Sequence, residues 1–430
     1  MRILFFSHYF PPEVNAPATR TFEHCAQWVS AGHDVTVITC APNCPDGVVY
    51  EGYRNRFWSQ TEEVQGIKVV RVWSYVAPNA GTIRRILNFV SYMISAVLAS
   101  LWLKRPDVII ATSPQFFCGW AGVIASKLRW TKFVLEIRDI WPESIEVVGA
   151  MRSKSLLRFL EFLERRMYLA ADHIVAVGEG YRQKIIEKVP VADRTSVVMN
   201  GVDLKAYVPQ SPDAAFKHKW NLDDKFVCSY IGTIGMAHGL DVVIRAAKLL
   251  AEKGRDDIRF LLVGDGAVRE KLQHEAKEAN VDSIVIFTGR MPKSEMPTVL
   301  ASSDVCLIHL RGVELFGTVI PSKIFETMAM CRPMIMGVRG EACDMVLAAG
   351  AGVEMEPDNE ASLLAGIEPL ADNREMTSDL GISGRDYVKQ NFDRKVLATR
   401  MLKTLHEVCG IEWSASEEVT TQAEFVVERT

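Results

Sequence analysis

The residues best suited to chemistry lie in three short stretches. Gly317-Thr318-Val319-Ile320-Pro321-Ser322-Lys323-Ile324-Phe325-Glu326 joins a glycine-bearing loop to a helical pattern. Pro321 suits the first helical turn, and Ser322 and Lys323 then offer donors near a helix N-terminus, where an anion is favoured. Glu326 follows one turn down, and its carboxylate can accept both hydroxyls of a ribose. Read without a ligand, Lys323 and Glu326 are an ordinary i, i+3 helix pair. Ile231-Gly232-Thr233-Ile234-Gly235 ends an apolar strand before a helix, and its glycines let backbone N–H groups approach a phosphate. Arg138-Asp139-Ile140-Trp141-Pro142-Glu143 sets a charged, aromatic segment after another strand. Arg138 can hold a phosphate bidentately, with Asp139 orienting it or touching an acceptor; a structural ion pair between the two is the bland alternative.

Other chemistries lack their residues. No G-x-G-x-x-G follows the first strand, no G-x-x-x-x-G-K-[ST] loop occurs, and no two Asp residues stand two apart to clamp a metal on a diphosphate. Protein groups must then neutralise any bound diphosphate, with no metal and no cofactor expected. Of the nine cysteines only Cys40 and Cys44 are close together, without the second pair a structural zinc needs. Met1-Arg2 runs straight into an apolar strand, so no secretory signal is expected, and the chain reads as cytoplasmic with reduced thiols. His8 is the nearest thing to a general base, although a polar loop histidine without catalytic duty fits it as well.

The elements that must position these groups alternate along the chain. Strands are predicted at Arg2–Ser7, Val35–Thr39, Val69–Trp73, Val108–Ala111, Phe133–Ile137, His173–Val177 and Ser196–Met199, with helical patterns such as Thr19–Ala31 between several of them. The pattern restarts after Asn200-Gly201-Val202-Asp203, with strands Phe226–Ile231, Ile258–Val263, Ile284–Phe287, Val305–Leu310 and Pro333–Met336, and with helices Leu240–Lys253, Ala267–Ala279 and Pro321–Met330. Two doubly wound α/β domains follow, 1–207 and 208–387, as 430 residues also suggest. A helix near 388–410 returns to the first domain, and 411–430 is a loose acidic tail. Ligands of such sheets sit beyond the carboxyl ends of the strands, so two facing sheets would share one cleft. Charge divides with the domains: residues 1–207 carry 24 Lys+Arg against 19 Asp+Glu, and the remainder 25 against 34. The positive half suits an anionic surface or a phosphate-bearing acceptor, or is ordinary solvated surface.

Ile86–Leu103 is free of charge between Arg84-Arg85 and Lys104-Arg105. It reads as a sheet-covering helix, as an interfacial membrane contact or, least easily, as a span, because Pro106-Asp107 leads directly into a buried strand. Arg152–Met167 mixes Leu156, Phe159, Leu160 and Leu163 with basic residues, as interfacial helices do and as solvated helices on a core do.

In order and spacing, His8-Tyr9-Phe10-Pro11-Pro12-Glu13, Ala31-Gly32-His33-Asp34-Val35-Thr36-Val37, Arg138-Asp139-Ile140-Trp141-Pro142-Glu143-Ser144, Asn200-Gly201-Val202-Asp203, Val263-Gly264-Asp265-Gly266 and Pro321-Ser322-Lys323-Ile324-Phe325-Glu326 resemble a retaining glycosyltransferase of family 4 over about residues 1–408. The resemblance is to the bacterial polysaccharide subgroup that includes N-acetyl-L-fucosamine transferases. It implies the GT-B fold of two facing Rossmann-like domains and a hexosyltransferase-type reaction in surface polysaccharide (O-antigen, capsule or exopolysaccharide) biosynthesis. UDP-sugar is the implied donor, and a lipid-linked sugar at the inner membrane face the acceptor. Glu326 matches the second Glu of the family's Glu-x7-Glu motif, whose first Glu falls on Thr318. The phosphate-binding Arg and Lys fall on Thr233 and His238, and the usual glycine of the N-terminal loop is missing near Asn15. The resemblance nominates Arg290 for the base, and puts Asn15, Gly232, Thr233, Gly235, His238, Gly317, Thr318 and Ser322 around the donor. It puts His8, Trp141 and Glu143 on the acceptor side. Lys323, His238 and an arginine are expected to supply the lost charge, with Lys323, Arg138 and Asp139 at the reacting centre.

Three rival readings follow from the same residues. An epimerase of this architecture would act without an acceptor, and a non-catalytic scaffold subunit would explain Thr233, His238 and Thr318. A nicotinamide oxidoreductase lacks its glycine fingerprint.

Overall fold

Runs of β-branched and aromatic residues, each followed by an amphipathic helix, dictate parallel strands with covered faces. The computed structural model describes residues 1–44, 46–57, 60–76, 82–113, 115–143, 153–313, 317 and 319–413. Its two units are Met1–Asn200 joined by the chain from Arg394 onward, and Gly201–Asp393.

The first unit runs β1 (Arg2–Phe6), α1 (Ala16–Ser30), β2 (Asp34–Cys40), β3 (Gln60–Val64), β4 (Ile67–Val72), α2 (Thr82–Leu101), β5 (Val108–Thr112), α3 (Phe116–Arg129), β6 (Lys132–Ile137), α4 (Lys154–Ala170), β7 (His173–Ala176), α5 (Glu179–Lys188) and β8 (Thr195–Val197). The sheet order is β3-β4-β2-β1-β5-β6-β7-β8, parallel apart from the β3–β4 hairpin. Period-two alternation sends Phe6, Ile38, Val70 and Ile109 to one face, beneath α2, α3 and α4. Phe5, Val37, Val69 and Ile110 go to the other face, beneath α1.

The second unit runs α6 (Ala214–Lys219), β9 (Phe226–Ile231), α7 (Asp241–Glu252), β10 (Ile258–Val263), α8 (Arg269–Glu278), β11 (Val285–Gly289), α9 (Met296–Ala301), β12 (Val305–His309), α10 (Lys323–Ala329), β13 (Met334–Gly337), α11 (Glu341–Ala348), β14 (Gly352–Glu354), α12 (Glu360–Asp372) and α13 (Arg374–Asn391). Its all-parallel order is β11-β10-β9-β12-β13-β14. The last helix, α14 (Arg394–Cys409), belongs to the first unit, where Leu397, Met401 and Leu405 enter the core beside α1.

Three differences from the sequence reading have physical causes. The units divide at Asn200/Gly201 instead of after 207 because Val202 N–H donates to the Phe392 carbonyl (3.0 Å) and Arg385 donates to the Tyr207 carbonyl (2.8 Å), which ties 201–207 to the second unit. β3 and β14 escape the pattern: Gln-Thr-Glu-Glu-Val has no apolar run, and β14 is three residues long. α10 begins at Lys323, so Pro321 lies before the helix with its carbonyl accepting from Ile324 N–H (3.1 Å). Of the expected tail, 414–430 lie outside the described residues.

Candidate functional site

Where neighbouring strands of a parallel sheet lead their connections in opposite directions, the loops at their carboxyl ends part and leave a crevice. In the second unit that point lies between β9 and β12, since the chain moves from β9 outward to β11 and returns to the other side at β12. The loop after β9 is Gly232 to Gly239, and β12 ends at His309, followed by Leu310-Arg311.

Two glycine turns shape this end of the sheet. Gly232 and Gly264 have φ of +140° and +143°, which side chains rarely adopt, and a Cβ on Gly264 would overlap the Gly232 carbonyl. Gly232 N–H donates to Val263 O and Ile234 N–H to Asp265 O, both at 2.9 Å, so the ladder runs on past the strands. Gly264 is therefore a packing glycine. At Gly232 the missing side chain makes room for a cation: the Lys323 ammonium lies 3.0 Å from where a Cβ would be and 3.8 Å from the centre of the Tyr230 ring. The Tyr230 hydroxyl donates to Thr233 O (2.8 Å), which fixes the ring. Burial pushes Lys323 down to about 7, while the Glu326 and Cys306 charges work against the fall. The ammonium thus rests on an aromatic face and forms no i, i+3 ion pair with Glu326, which is half-buried one turn further along α10.

His309 and Arg311 hold the loop from below. His309 Nδ1 donates to His238 O (2.7 Å), and its Nε2 accepts from Asp358 N–H (3.0 Å), which defines one neutral tautomer. Arg311 N–H donates to Ala237 O (2.9 Å) and its Nε to Met236 O (3.2 Å). The guanidinium also pairs with Asp241 and Asp358 at 2.5 and 3.0 Å. Three successive carbonyls are thus tied back to β12. Burial, and then the Lys323 charge, hold His238 down to about 4, so at neutral pH it is a neutral imidazole and not the cation the sequence suggested. Its buried Nδ1 has no hydrogen-bond partner.

Around this centre, Gly235 and Gly317 are part-buried, and Thr233 and Arg290 are exposed, Arg290 just past β11. Gly340, at φ +76°, packs its Cα against the Gly317 backbone. Ser322 is the N-cap of α10 in αR geometry, without a side-chain capping bond. Thr318 lies outside the described residues.

In the first unit the connections part between β1 and β5. Arg138 follows β6, with its N–H donating to Ser113 Oγ (2.8 Å) at the end of β5. Beside it Arg20 pairs with the buried Glu136 (2.8 Å) and donates to Val198 O, Met199 O and Asn200 Oδ1. Burial pushes Glu136 up, but the Arg20 and Arg138 charges outweigh it and hold it at about 2. Burial, and then the Arg20 charge, bring Arg138 down to about 10. Arg138 gives one bond to Asn200 Oδ1 (3.3 Å) and keeps its other terminal nitrogen buried without a partner. No ion pair of Arg138 with Asp139 forms among the described residues, so a guanidinium donor is left unspent beside a pair that is already neutral.

Four more predicted residues of this half make contacts within the first unit. His8 lies in the bend after β1 but is not a polar, solvated residue there: it is 3% exposed, edged by Tyr9, Phe89 and Tyr92, and burial pushes it down to about 3. Asn15 caps α1, its side chain accepting from Ala18 N–H (2.9 Å). Trp141 stacks on Phe116 at 4.5 Å, and Glu143 pairs with Lys188 and Lys184 at 2.8 and 3.3 Å.

Both units match family models. Residues 15–201 match the glycosyl transferase 4-like domain and 211–387 match glycosyl transferases group 1. The chain belongs with the family 4-like glycosyltransferases. It is 26% identical over 410 residues, 92% of this chain and 97% of the relative, to the putative colanic acid biosynthesis glycosyl transferase WcaI of Escherichia coli. It is 26% identical over 313 residues, 72% and 76% of the two chains, to the probable glycosyltransferase WbjE of Pseudomonas aeruginosa. Among solved structures, Anabaena HepE in complex with UDP-glucose has the same fold, with a TM-score of 0.70 at 17% identity over 95% of this chain and 100% of that one.

For this glycosyltransferase the described residues hold no cluster of three or more His, Cys, Asp or Glu side chains that could bind a metal. Sequence reasoning missed Tyr230, His309, Arg311, Arg20 and Glu136. His309 and Arg311 could have been found, because they end and follow the strand at which the order must reverse. Arg20 and Glu136 are 116 residues apart, and nothing local marks them as partners.

Proposed function

We propose that this glycosyltransferase moves a sugar from a nucleoside diphosphate sugar, UDP-sugar by preference, to a lipid-linked sugar acceptor in surface polysaccharide biosynthesis, with retention and without a metal. The observation that carries the reading is the Lys323 ammonium, held between Gly232 and the Tyr230 ring at the strand-order reversal. A buried cation without an anion is costly, and a diphosphate would relieve that cost. Breaking the sugar–phosphate bond loads negative charge onto the departing diphosphate, and fixed donors stabilise it best where water is excluded. Lys323 and the N–H groups of Gly232–Gly235 supply those donors, and Gly317 and Ser322 border them. Glu326 accepts the ribose hydroxyls, and Arg290 lies against the base. Arg138, with its unspent nitrogen, takes a phosphate, and Asp139, which does not pair with it, touches the acceptor. The leaving phosphate takes the acceptor proton, so a protein base is not needed; His8, neutral and buried, does not serve as one. HepE's complex with UDP-glucose supports the nucleotide preference.

A panel of UDP-, GDP- and TDP-sugars tests the reading by thermal stabilisation with and without chelator, followed by nucleotide release with and without lipid extract. Stabilisation by UDP compounds that chelator leaves intact, and release that needs lipid, are expected. Release without any acceptor would favour the epimerase, and no stabilisation by any nucleotide would favour the scaffold subunit.

A further inference from the structure

The outer surface of the α2–α3–α4 layer combines apolar side chains in water with basic ones in a way the glycosyl-transfer site does not use. These helices cover one face of the first sheet side by side, α2 packed along α3 and α3 against α4. Each buries one side, as Tyr92 and Ala96 do on α2 and Leu160 and Met167 on α4. Their other sides are not polar. On α2, Leu87, Ile94, Leu98 and Leu101 are exposed at i, i+7, i+11 and i+14, which is one stripe of a helix, and Trp102 follows at 91% exposure. Trp130, at the end of α3, is 85% exposed. The two tryptophans share one edge, because Arg129 donates to the Ser100, Leu101 and Leu103 carbonyls and Arg105 to the Trp130 carbonyl. On α4, Phe159 and Phe162 are more than half exposed.

The exposed charges on this layer are predominantly basic. Arg84, Arg85, Lys104, Arg105, Lys127, Arg158, Arg165 and Arg166 are all exposed, and among the described residues none forms an ion pair. α2 carries no acidic residue; on α4, Glu164 is buried against Lys188, and the part-buried Glu161 is outnumbered by Arg158, Arg165 and Arg166. No helix of the described residues is long and apolar enough to cross a membrane. We infer that this face docks on an anionic phospholipid bilayer, with α2 and α4 lying in the interface, Trp102 and Trp130 at headgroup depth, and the basic residues on lipid phosphates. Charge decides for lipid over a second copy of the chain, since two such faces would set like charges against each other. The inference deepens the lipid-linked-acceptor reading and rests on it for its purpose, because docking would hold the protein where such an acceptor is found.

The test needs neither donor nor acceptor, so it can fail while glycosyl transfer stands. The full chain is floated with phosphatidylglycerol-containing and with pure phosphatidylcholine vesicles, at about 0.1 M and about 1 M salt. Binding only to the anionic vesicles, weakened roughly tenfold or more by the higher salt, is expected. Trp102→Ala with Trp130→Ala, and separately Arg84→Glu with Arg85→Glu, should each weaken it by roughly tenfold while the UDP-induced thermal shift stays unchanged. Equal flotation with both vesicle types, or full binding by both double variants, would overturn the proposal. So would a dimer in light scattering that Trp102→Glu splits, with no vesicle binding by the parent.

Discussion

Replacing Lys323 with methionine separates what this side chain does for the fold from what it does for a ligand. Burial lowers the lysine from 10.5 to about 7, so keeping it charged costs the free fold up to about 5 kcal/mol, at about 1.4 kcal/mol per pH unit. The contact with the Tyr230 ring returns about 0.5–2 kcal/mol, and relaxation lowers the cost further, leaving roughly 2–3 kcal/mol to be recovered by an uncharged stem of similar length. At roughly 2–4 °C per kcal/mol for a unit of this size, Lys323→Met should raise Tm by roughly 4–10 °C at pH 7. The sign with pH follows from linkage. Between about 7 and 10.5 the unfolded chain binds the proton that the folded chain has released, so the parent gains stability as pH rises. The Tm gap is therefore full at and below pH 7 and closes toward pH 10. A nucleoside diphosphate should reverse the ranking. At about 100 times Kd it stabilises the parent by about 2.7 kcal/mol, and the methionine variant should lose most of that gain. Because the diphosphate restores the ammonium, parent binding near pH 8 should take up protons, which calorimetry in buffers of different ionisation enthalpy reads directly. A variant no more stable than the parent, with its UDP shift intact, would refute the argument.

The other predictions concern groups around the same crevice. Glu326→Gln should bind UDP roughly tenfold more weakly or worse and lose discrimination against 2′,3′-dideoxy-UDP, as competition titration would reveal; unchanged discrimination would remove Glu326 from the ribose. Arg311→Met frees the Met236 carbonyl and leaves Asp241 and Asp358 without that partner. It should raise KM for the donor more than it lowers kcat for the acceptor-saturated enzyme, whereas a purely structural role would lower Tm with KM unmoved. Gly264→Ala forces a Cβ against the Gly232 carbonyl at positive φ and should destabilise the second unit by about 2–4 kcal/mol in denaturant unfolding.

The sequence alone made the strand alternation readable because parallel strands covered on both faces must be largely apolar, and β1, β5, β9 and β12 are, with one polar residue each. It also picked out Lys323 and the Gly232 turn as neighbours in function, since a glycine after a strand and a lysine at a helix start both suit phosphate. What lay beyond it was whatever depends on the far side of a contact. Asn15 reads equally as ligand or cap, and only Ala18 N–H decides. His8 looks like loop chemistry until three aromatic rings close on it. The charge of His238 depends on burial and on Lys323, 85 positions away in the chain. The bracing of its loop by His309 and Arg311 follows from strand order, which alternation does not encode.

The place of α14 bears on how the polypeptide reaches its native state on the ribosome. Trp28 donates to the Ala398 carbonyl (2.9 Å), and Leu397, Met401 and Leu405 complete the core on the α1 side. Residues 201–393 form one uninterrupted stretch that can condense as soon as it emerges, but the part made first must wait for the part made last. Until then α1 exposes an apolar flank, a natural holding point for a chaperone. Shortening the gene before codon 394 would strand the opening half, while the middle segment should survive excision on its own.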